Sequence, residues 1–265
     1  MFIKKIHRFK NAIWTVAQPL TKYPTSVCDS VSDLFVWRSS HEWQTFFELI
    51  DIAALFEDRS NLGYATFVFF NQAGEFICEK SIAIKENFRI TLNISSIVDS
   101  SHGEVGTFAV FHSPIPSCIG QMGAHLSDRG YVSYCYRDSL LRSYVHGNFD
   151  AISRGKDKLI QFLGGSSLLN REYHLQYEIK PRISHELCIV NPTPREQSFY
   201  YKIISVPARK ILKIHEFSLV PGAIHLHPIY YDSHESRRLV IKSKLVMARP
   251  LVFRIQNQTL DVFHG

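Results

Sequence analysis

Between Ser127 and Ile152 the chain places Tyr131, Tyr134, Tyr136, Tyr144 and His146 close together, and this is where its side chains come nearest to chemistry. Val132, Tyr134 and Tyr136 alternate with Ser133 and Cys135, the period of a strand. Tyr144, His146 and Asn148 alternate in the same way with Val145 and Gly147, and Arg137, Asp138 and Ser139 supply turn residues between the two runs. If parity holds through both runs, Tyr134, Tyr136, Tyr144, His146 and Asn148 line one ligand-facing surface, with Arg137 at the adjoining turn. Tyrosine offers a flat apolar face with a hydrogen-bonding tip, which suits sugars, peptides or bases. The competing reading is that these tyrosines fill a core and keep their hydroxyls at its rim.

Other constellations are weaker. Among thirteen histidines, His225 and His227 make the best pair, because residues two apart on a strand share a face. His215 and His234 lie nearby, but no carboxylate completes a ligand set, so neither metal nor cofactor is expected. Gly164-Gly165-Ser166-Ser167 reads as a flexible loop rather than a phosphate cradle. Cys135 falls on the opposite parity from Tyr134 and Tyr136, which separates it from His146 as a nucleophile. No GxSxG, HExxH, GxxxxGK[ST] or strand-borne GxGxxG is present.

The elements that must position these residues are read from composition and period. Apolar residues make up 45% of the 265 and charged residues 20%, ordinary values for a globular chain with a sizeable core. Five scattered cysteines without a CxxC pair point to reduced thiols and a cytoplasmic setting. Of the net charge of +6, Lys4, Lys5, Arg8 and Lys10 supply +4, leaving +2 for the remainder, so no basic field for nucleic acid follows. Lys4, Lys5, Arg8 and Asn11 oppose Phe2, Ile6, Phe9 and Ile13, a short amphipathic helix that could touch an anionic membrane surface. No apolar run is long enough to span a bilayer.

Short apolar runs bounded by turn residues predict strands throughout: TFVFF, FICEKSIAI, RITLNI and GTFAVFH, then YHLQYEI, LCIV, FYYKIISV, KILKI, AIHLH, RLVIK and PLVFRI. WQTFFELI is ambiguous and leans to strand, while GKDKLIQFLGGSSLL is the candidate for a short helix or an irregular connection. A shift of 122 residues sets Ile82 on Ile204, Ile84 on Val206 and Ile90 on Leu212, and Phe70-Asn71 matches Val190-Asn191, which suggests an internal duplication. The expected fold is all-β: two related antiparallel β-sandwich units behind the N-terminal helix. The expected division is residues 1–32 for that helix and its linker, 33–126 for the first unit, 127–171 for the Tyr/His-rich hairpin and helical connection, and 172–265 for the second unit.

The second half, in HELCIVNPTPREQSF, VPARKILKI and SKLVMARPLVF, resembles the sensory-rhodopsin-transducer type of small β-sandwich. Asn191-Pro192-Thr193 fits that family's turn, and Ala208-Arg209 its Ala-Arg pair before an apolar strand. The resemblance covers His185 to Ile255 and departs in lacking the family's early tryptophan-bearing strand and in finishing on LDVFHG. It implies a soluble, oligomerising sandwich with an interaction role, towards sugars among other partners, and it assigns no binding residue.

The functional expectation is a non-catalytic binding or assembly protein with a glycan or sugar ligand, set in cell-surface polysaccharide biosynthesis and forming homo-oligomers. One alternative is an enzyme acting on a sugar or sugar nucleotide, with His146 as acid or base and Tyr144 and Arg137 placing the substrate. The other is a peripheral membrane scaffold held by the N-terminal helix.

Overall fold

A computed structural model describes residues 30–51, 63–84, 89–115, 126–128, 130–155, 157–206, 208–232, 234–246 and 249–265. The expected N-terminal helix, with Lys4, Lys5, Arg8 and Lys10, lies outside these residues. Within them the chain is all-β, broken only by short 3-10 turns at Ile94–Ser96 and Ser100–His102. No helix among the described residues is long and apolar enough to cross a membrane.

The strands follow the apolar runs. In the first half they are β1 (Ser30–Arg38), β2 (Trp43–Ile50), β3 (Tyr64–Asn71), β4 (Phe76–Ala83), β5 (Arg89–Asn93), β6 (Val105–Ser113), β7 (Leu126–Asp128), β8 (Tyr131–Tyr136), β9 (Ser143–His146), β10 (Asn148–Arg154) and β11 (Ile160–Phe162). In the second they are β12 (Ser166–His174), β13 (Ser184–Val190), β14 (Gln197–Ser205), β15 (Ile211–Leu219), β16 (Ile224–Ile229), β17 (Arg237–Leu245), β18 (Leu251–Gln256) and β19 (Thr259–His264). Central strands such as β3 and β6 are buried on both sides and read as unbroken apolar runs, whereas β14 alternates buried and half-buried positions because one of its faces meets solvent.

Four sheets result. A seven-stranded sheet runs β11-β10-β1-β6-β3-β4, with β7 beside β1. The others run β5-β2-β8-β9, β16-β13-β18-β19 and β12-β17-β14-β15. The first core gathers Phe35, Trp37, Phe67, Phe69 and Phe108 from the large sheet, Phe47 and Tyr134 from the β2/β8 sheet, and Cys188, Phe253 and Val262 from the β13/β18 sheet. The second core gathers Phe199, Tyr201 and Ile241 from the β14/β17 sheet against Leu187, Ile189 and Val252. Successive residues of β13 and β18 therefore serve different cores: Cys188 and Phe253 the first, Leu187 and Val252 the second. The β16-β13-β18-β19 sheet is apolar on both faces because it is covered on both.

Two turns clasp the halves together. Asn71 Oδ1 accepts from the backbone of Ala73 and Glu75, and Asn191 Oδ1 accepts from Thr193. The amide of Ile224 donates to Gln72 O at 3.1 Å, and a Cβ on Gly74, whose φ is +81°, would lie 2.4 Å from Pro221 O.

Several expectations are corrected here. The stretch read as a short helix, 155–169, forms β11 and the start of β12; Ile160, Gln161 and Phe162 pair with β10 instead of closing helical turns. Ser30 to Ser32, placed in the linker, already belong to β1. The duplication finds matching turns at Asn71 and Asn191, and the β3–β6 pairing has its counterpart in β13–β18. It does not extend to connectivity: β3 and β4 form a hairpin, whereas β13 and β14 enter different sheets.

Candidate functional site

The β8–β9 pairing decides which of the central aromatic residues meet. The register sets Tyr131 opposite His146, Ser133 opposite Tyr144 and Tyr134 opposite Ser143. Residues directly opposite share a face. The even positions of β9 thus join the odd positions of β8, and the predicted common surface is divided.

Tyr134 and Tyr136 point into the first core. Tyr134 has no exposed surface, its hydroxyl donates to Val36 O at 2.9 Å, and its ring meets Phe253 edge-on at 5.1 Å. Burial holds the phenol well above its ordinary pKa. Tyr136 lies against Trp43 at 4.9 Å. Asn148 is buried on β10 opposite Leu34, in another sheet. The chain changes sheets at Gly147, where a Cβ would meet Phe35 at 2.8 Å and Leu34 O at 2.9 Å, so parity does not carry through that residue. Arg137 stands at the turn as expected, at φ 55°, but its guanidinium is held by Glu42, with Nη2 to Oε1 at 2.9 Å. Of the predicted set, Tyr144 and His146 alone share an outward face.

On that face two cross-strand rows form. Thr91 lies opposite Glu48, Glu48 opposite Tyr131, and Tyr131 opposite His146, spanning all four strands of the β5-β2-β8-β9 sheet. The neighbouring row is Asn93, Phe46, Ser133 and Tyr144. Tyr131 and Tyr144 are 46% and 47% exposed, and the Tyr131 ring leans on His146 at 4.2 Å. Glu48 keeps only 5% of its side chain exposed, and three side chains of this face meet its carboxyl group. Arg89 Nε donates to it at 2.9 Å, Thr91 Oγ1 at 3.0 Å, and the Arg142 guanidinium lies 3.9 Å away. Arg142 also covers the Phe46 ring at 3.8 Å. The result is a surface of two accessible phenol rings bordered by an imidazole and a fixed guanidinium–carboxylate network.

The sequence reading missed Glu48, Thr91, Arg89 and Arg142. The signal was present in β2, where Gln44, Phe46 and Glu48 alternate with Trp43, Thr45 and Phe47: a carboxylate at strand parity in an apolar run asks for a partner. At the edge of this sheet β9 meets β19, with Val262 N donating to Ser143 Oγ at 2.7 Å. His264 follows on β19; burial first, then the charges of Arg249 and His146, lower its pKa to about 4.

A second cluster lies on β15 and β16. His215 of β15 and His227 of β16 meet at 4.4 Å, and Phe217 stacks on His225 at 3.9 Å. Burial lowers the pKa of all three imidazoles, that of His227 to about 4.

Comparison with known proteins adds little to this geometry. No protein-family model matches the chain, and no curated protein matches it. Among solved structures, a β-glucuronidase from glycoside hydrolase family 2 aligns with 94% of this chain at 8% identity and a TM-score of 0.14. The chain spans about a quarter of that protein, 26% of its length. At that score the likeness carries no argument about fold or function.

Proposed function

We propose that the chain is a non-catalytic binding or assembly protein that takes a sugar or glycan on the outward face of the β5-β2-β8-β9 sheet. The observation that supports this reading is that Tyr131 and Tyr144, two half-exposed rings, stand diagonally on adjacent strands of one face, with His146 opposite Tyr131. A pyranose ring stacks on such a phenol through its C–H face and takes hydrogen bonds at its rim, here from His146 and Arg142. The neighbouring Glu48 network fixes Arg142 at little entropic cost on binding, because its partners are already in place. In this reading the chain is built as two antiparallel sandwich units, acts in a cytoplasmic polysaccharide-biosynthesis setting and assembles with copies of itself. The resemblance of its second half to a small interaction sandwich supports that role.

A glycan and sugar-nucleotide screen followed by calorimetry tests the proposal. Tyr131→Ala and Tyr144→Ala should each weaken the ligand found by about tenfold, the loss of a stacked ring worth roughly 1–1.5 kcal/mol. Their urea midpoints should stay at the wild-type value. Failure to find any ligand, or affinity that survives both substitutions, would overturn it.

A further inference from the structure

The open edge between the β14/β15 sheet and the β13/β16 sheet carries three imidazoles that face one another. On β15, Lys213, His215 and Phe217 lie opposite Ile203, Tyr201 and Phe199 of β14, so all three turn toward the second core. On β16, His225 and His227 lie opposite Ile189 and Leu187 of β13, which belong to the same core. The two edge strands thus bring their histidines to one mouth from opposite sides. His215 and His227 are 4.4 Å apart between ring centroids, and His225 and His227 are 6.2 Å apart. All three are half-buried, with a side open to solvent.

Two polar atoms at this mouth lack a protein partner. His215 Nε2 and Tyr201 Oη are buried without a hydrogen bond. The Tyr201 ring stacks on His215 at 4.6 Å and meets His227 at 5.0 Å. A buried donor or acceptor left unpaired is costly, so two at one locus ask for a ligand. Among the described residues, Glu216 lies on the other face of β15, opposite Tyr200, and Glu186 is taken by Arg38.

We infer that His215, His225 and His227 form a binding site for a divalent transition-metal ion of the zinc, copper or nickel class. Neutral imidazole is the ligand these ions prefer, and a site without carboxylates disfavours magnesium and calcium. With Zn–N bonds of about 2.0–2.1 Å, rings around a tetrahedral ion have centroids about 5 Å apart. The observed separations of 4.4 and 6.2 Å bracket that value. Among the described residues no group of three His, Cys, Asp or Glu side chains stands ready to hold a metal ion, so the site forms only on rearrangement. Closing the shell requires the rings to rotate about χ1 and χ2, and His225 to leave the Phe217 ring on which it stacks at 3.9 Å. Solvent or Tyr201 Oη completes the shell. The inference is independent of the sugar-binding face, which lies on another sheet.

The test uses the full chain with Zn²⁺ in calorimetry and Co²⁺ in absorption spectroscopy. The expected result is one high-affinity zinc per chain and a cobalt d–d band of tetrahedral or five-coordinate intensity. His215→Ala and His227→Ala should each weaken zinc by at least about tenfold, while His174→Ala, on the outer face of its sheet, changes nothing. If the histidine variants do not fold, the wild-type chain decides: zinc should protect His215, His225 and His227 from carbethoxylation by diethyl pyrocarbonate. Absence of high-affinity zinc, zinc binding undiminished in the variants, or equal labelling with and without zinc would overturn the assignment.

Discussion

Arg38 of β1 donates to Glu186 of β13 at 2.5 Å, joining two sheets that share the first core. The guanidinium lies 3.6 Å over the Trp43 ring and 4.9 Å from that of Phe253, so the cation is packed between aromatic faces as well as paired. Both side chains are largely withdrawn from water, at 11% and 19% exposure.

Removing one partner of this pair leaves a desolvated charge. Glu186→Gln and Arg38→Met should each destabilise the chain by about 3 kcal/mol in urea unfolding. The double variant Arg38→Met/Glu186→Leu should recover much of that loss, since a packed apolar pair carries no desolvation penalty. Additive losses in the double-mutant cycle would show that the two residues are not coupled.

The division of the tyrosines between two faces makes a direct contrast. Tyr134→Ala should cost about 3–5 kcal/mol, because it empties a buried site and leaves Val36 O without its donor. Tyr144→Ala, on the outward face, should change stability by no more than about 0.5 kcal/mol. Equal unfolding midpoints for the two variants would contradict the β8–β9 register.

Thiol chemistry reads the same burial. Among Cys78, Cys135 and Cys188, burial raises the Cys78 thiol somewhat and pushes Cys188, inside the first core, far higher. Iodoacetamide should modify Cys78 slowly at pH 8, and faster as pH rises, and leave Cys188 intact until the chain unfolds. Peptide mass spectrometry after timed quenching checks this. Early loss of the Cys188 thiol would place it outside the core.

His264 sets a pH dependence. Its folded pKa of about 4 lies below the unfolded value near 6.5, so between them the unfolded chain binds more protons and stability rises with pH. The contribution is complete above about pH 6.5, is lost as pH falls toward 4, and changes no further below that. Partial exposure screens the effect to on the order of 1–2 kcal/mol. In His264→Phe the stability slope between pH 4 and 6.5 should flatten; an unchanged slope would assign it to other groups.

The strands were legible because burial is written into residue type. TFVFF and GTFAVFH announce β3 and β6, and the alternation in RITLNI announces β5. The site was half legible. Parity within β8 and within β9 was correct, but which parity of one strand faces which of the other depends on register, and register depends on the turn between them. The turn from Arg137 to Arg142 could be shifted by one residue in thought without offending any local rule. Gly147 compounded the error by carrying the chain into another sheet. The helix expected at 155–169 failed for a similar reason: short apolar runs fit both periods, and the free partner edge of β10 decided for strand. The meeting of His215 with His225 and His227 was beyond local pattern, since it needs two sheets stacked in a particular order.

The twice-covered sheet also imposes an order of events in time. Leu251, Phe253, Leu260 and Val262 close a core whose first contributor is Leu34. A nascent chain that has made only its first 160 residues holds Phe35, Phe47, Phe67 and Phe108 with one side still bare. That surface stays sticky through the synthesis of roughly a hundred further residues, for about 5–20 s at ordinary elongation rates. The second core has its buried members in place once Val252 is made, whereas this first core is complete only after residue 262 has been added.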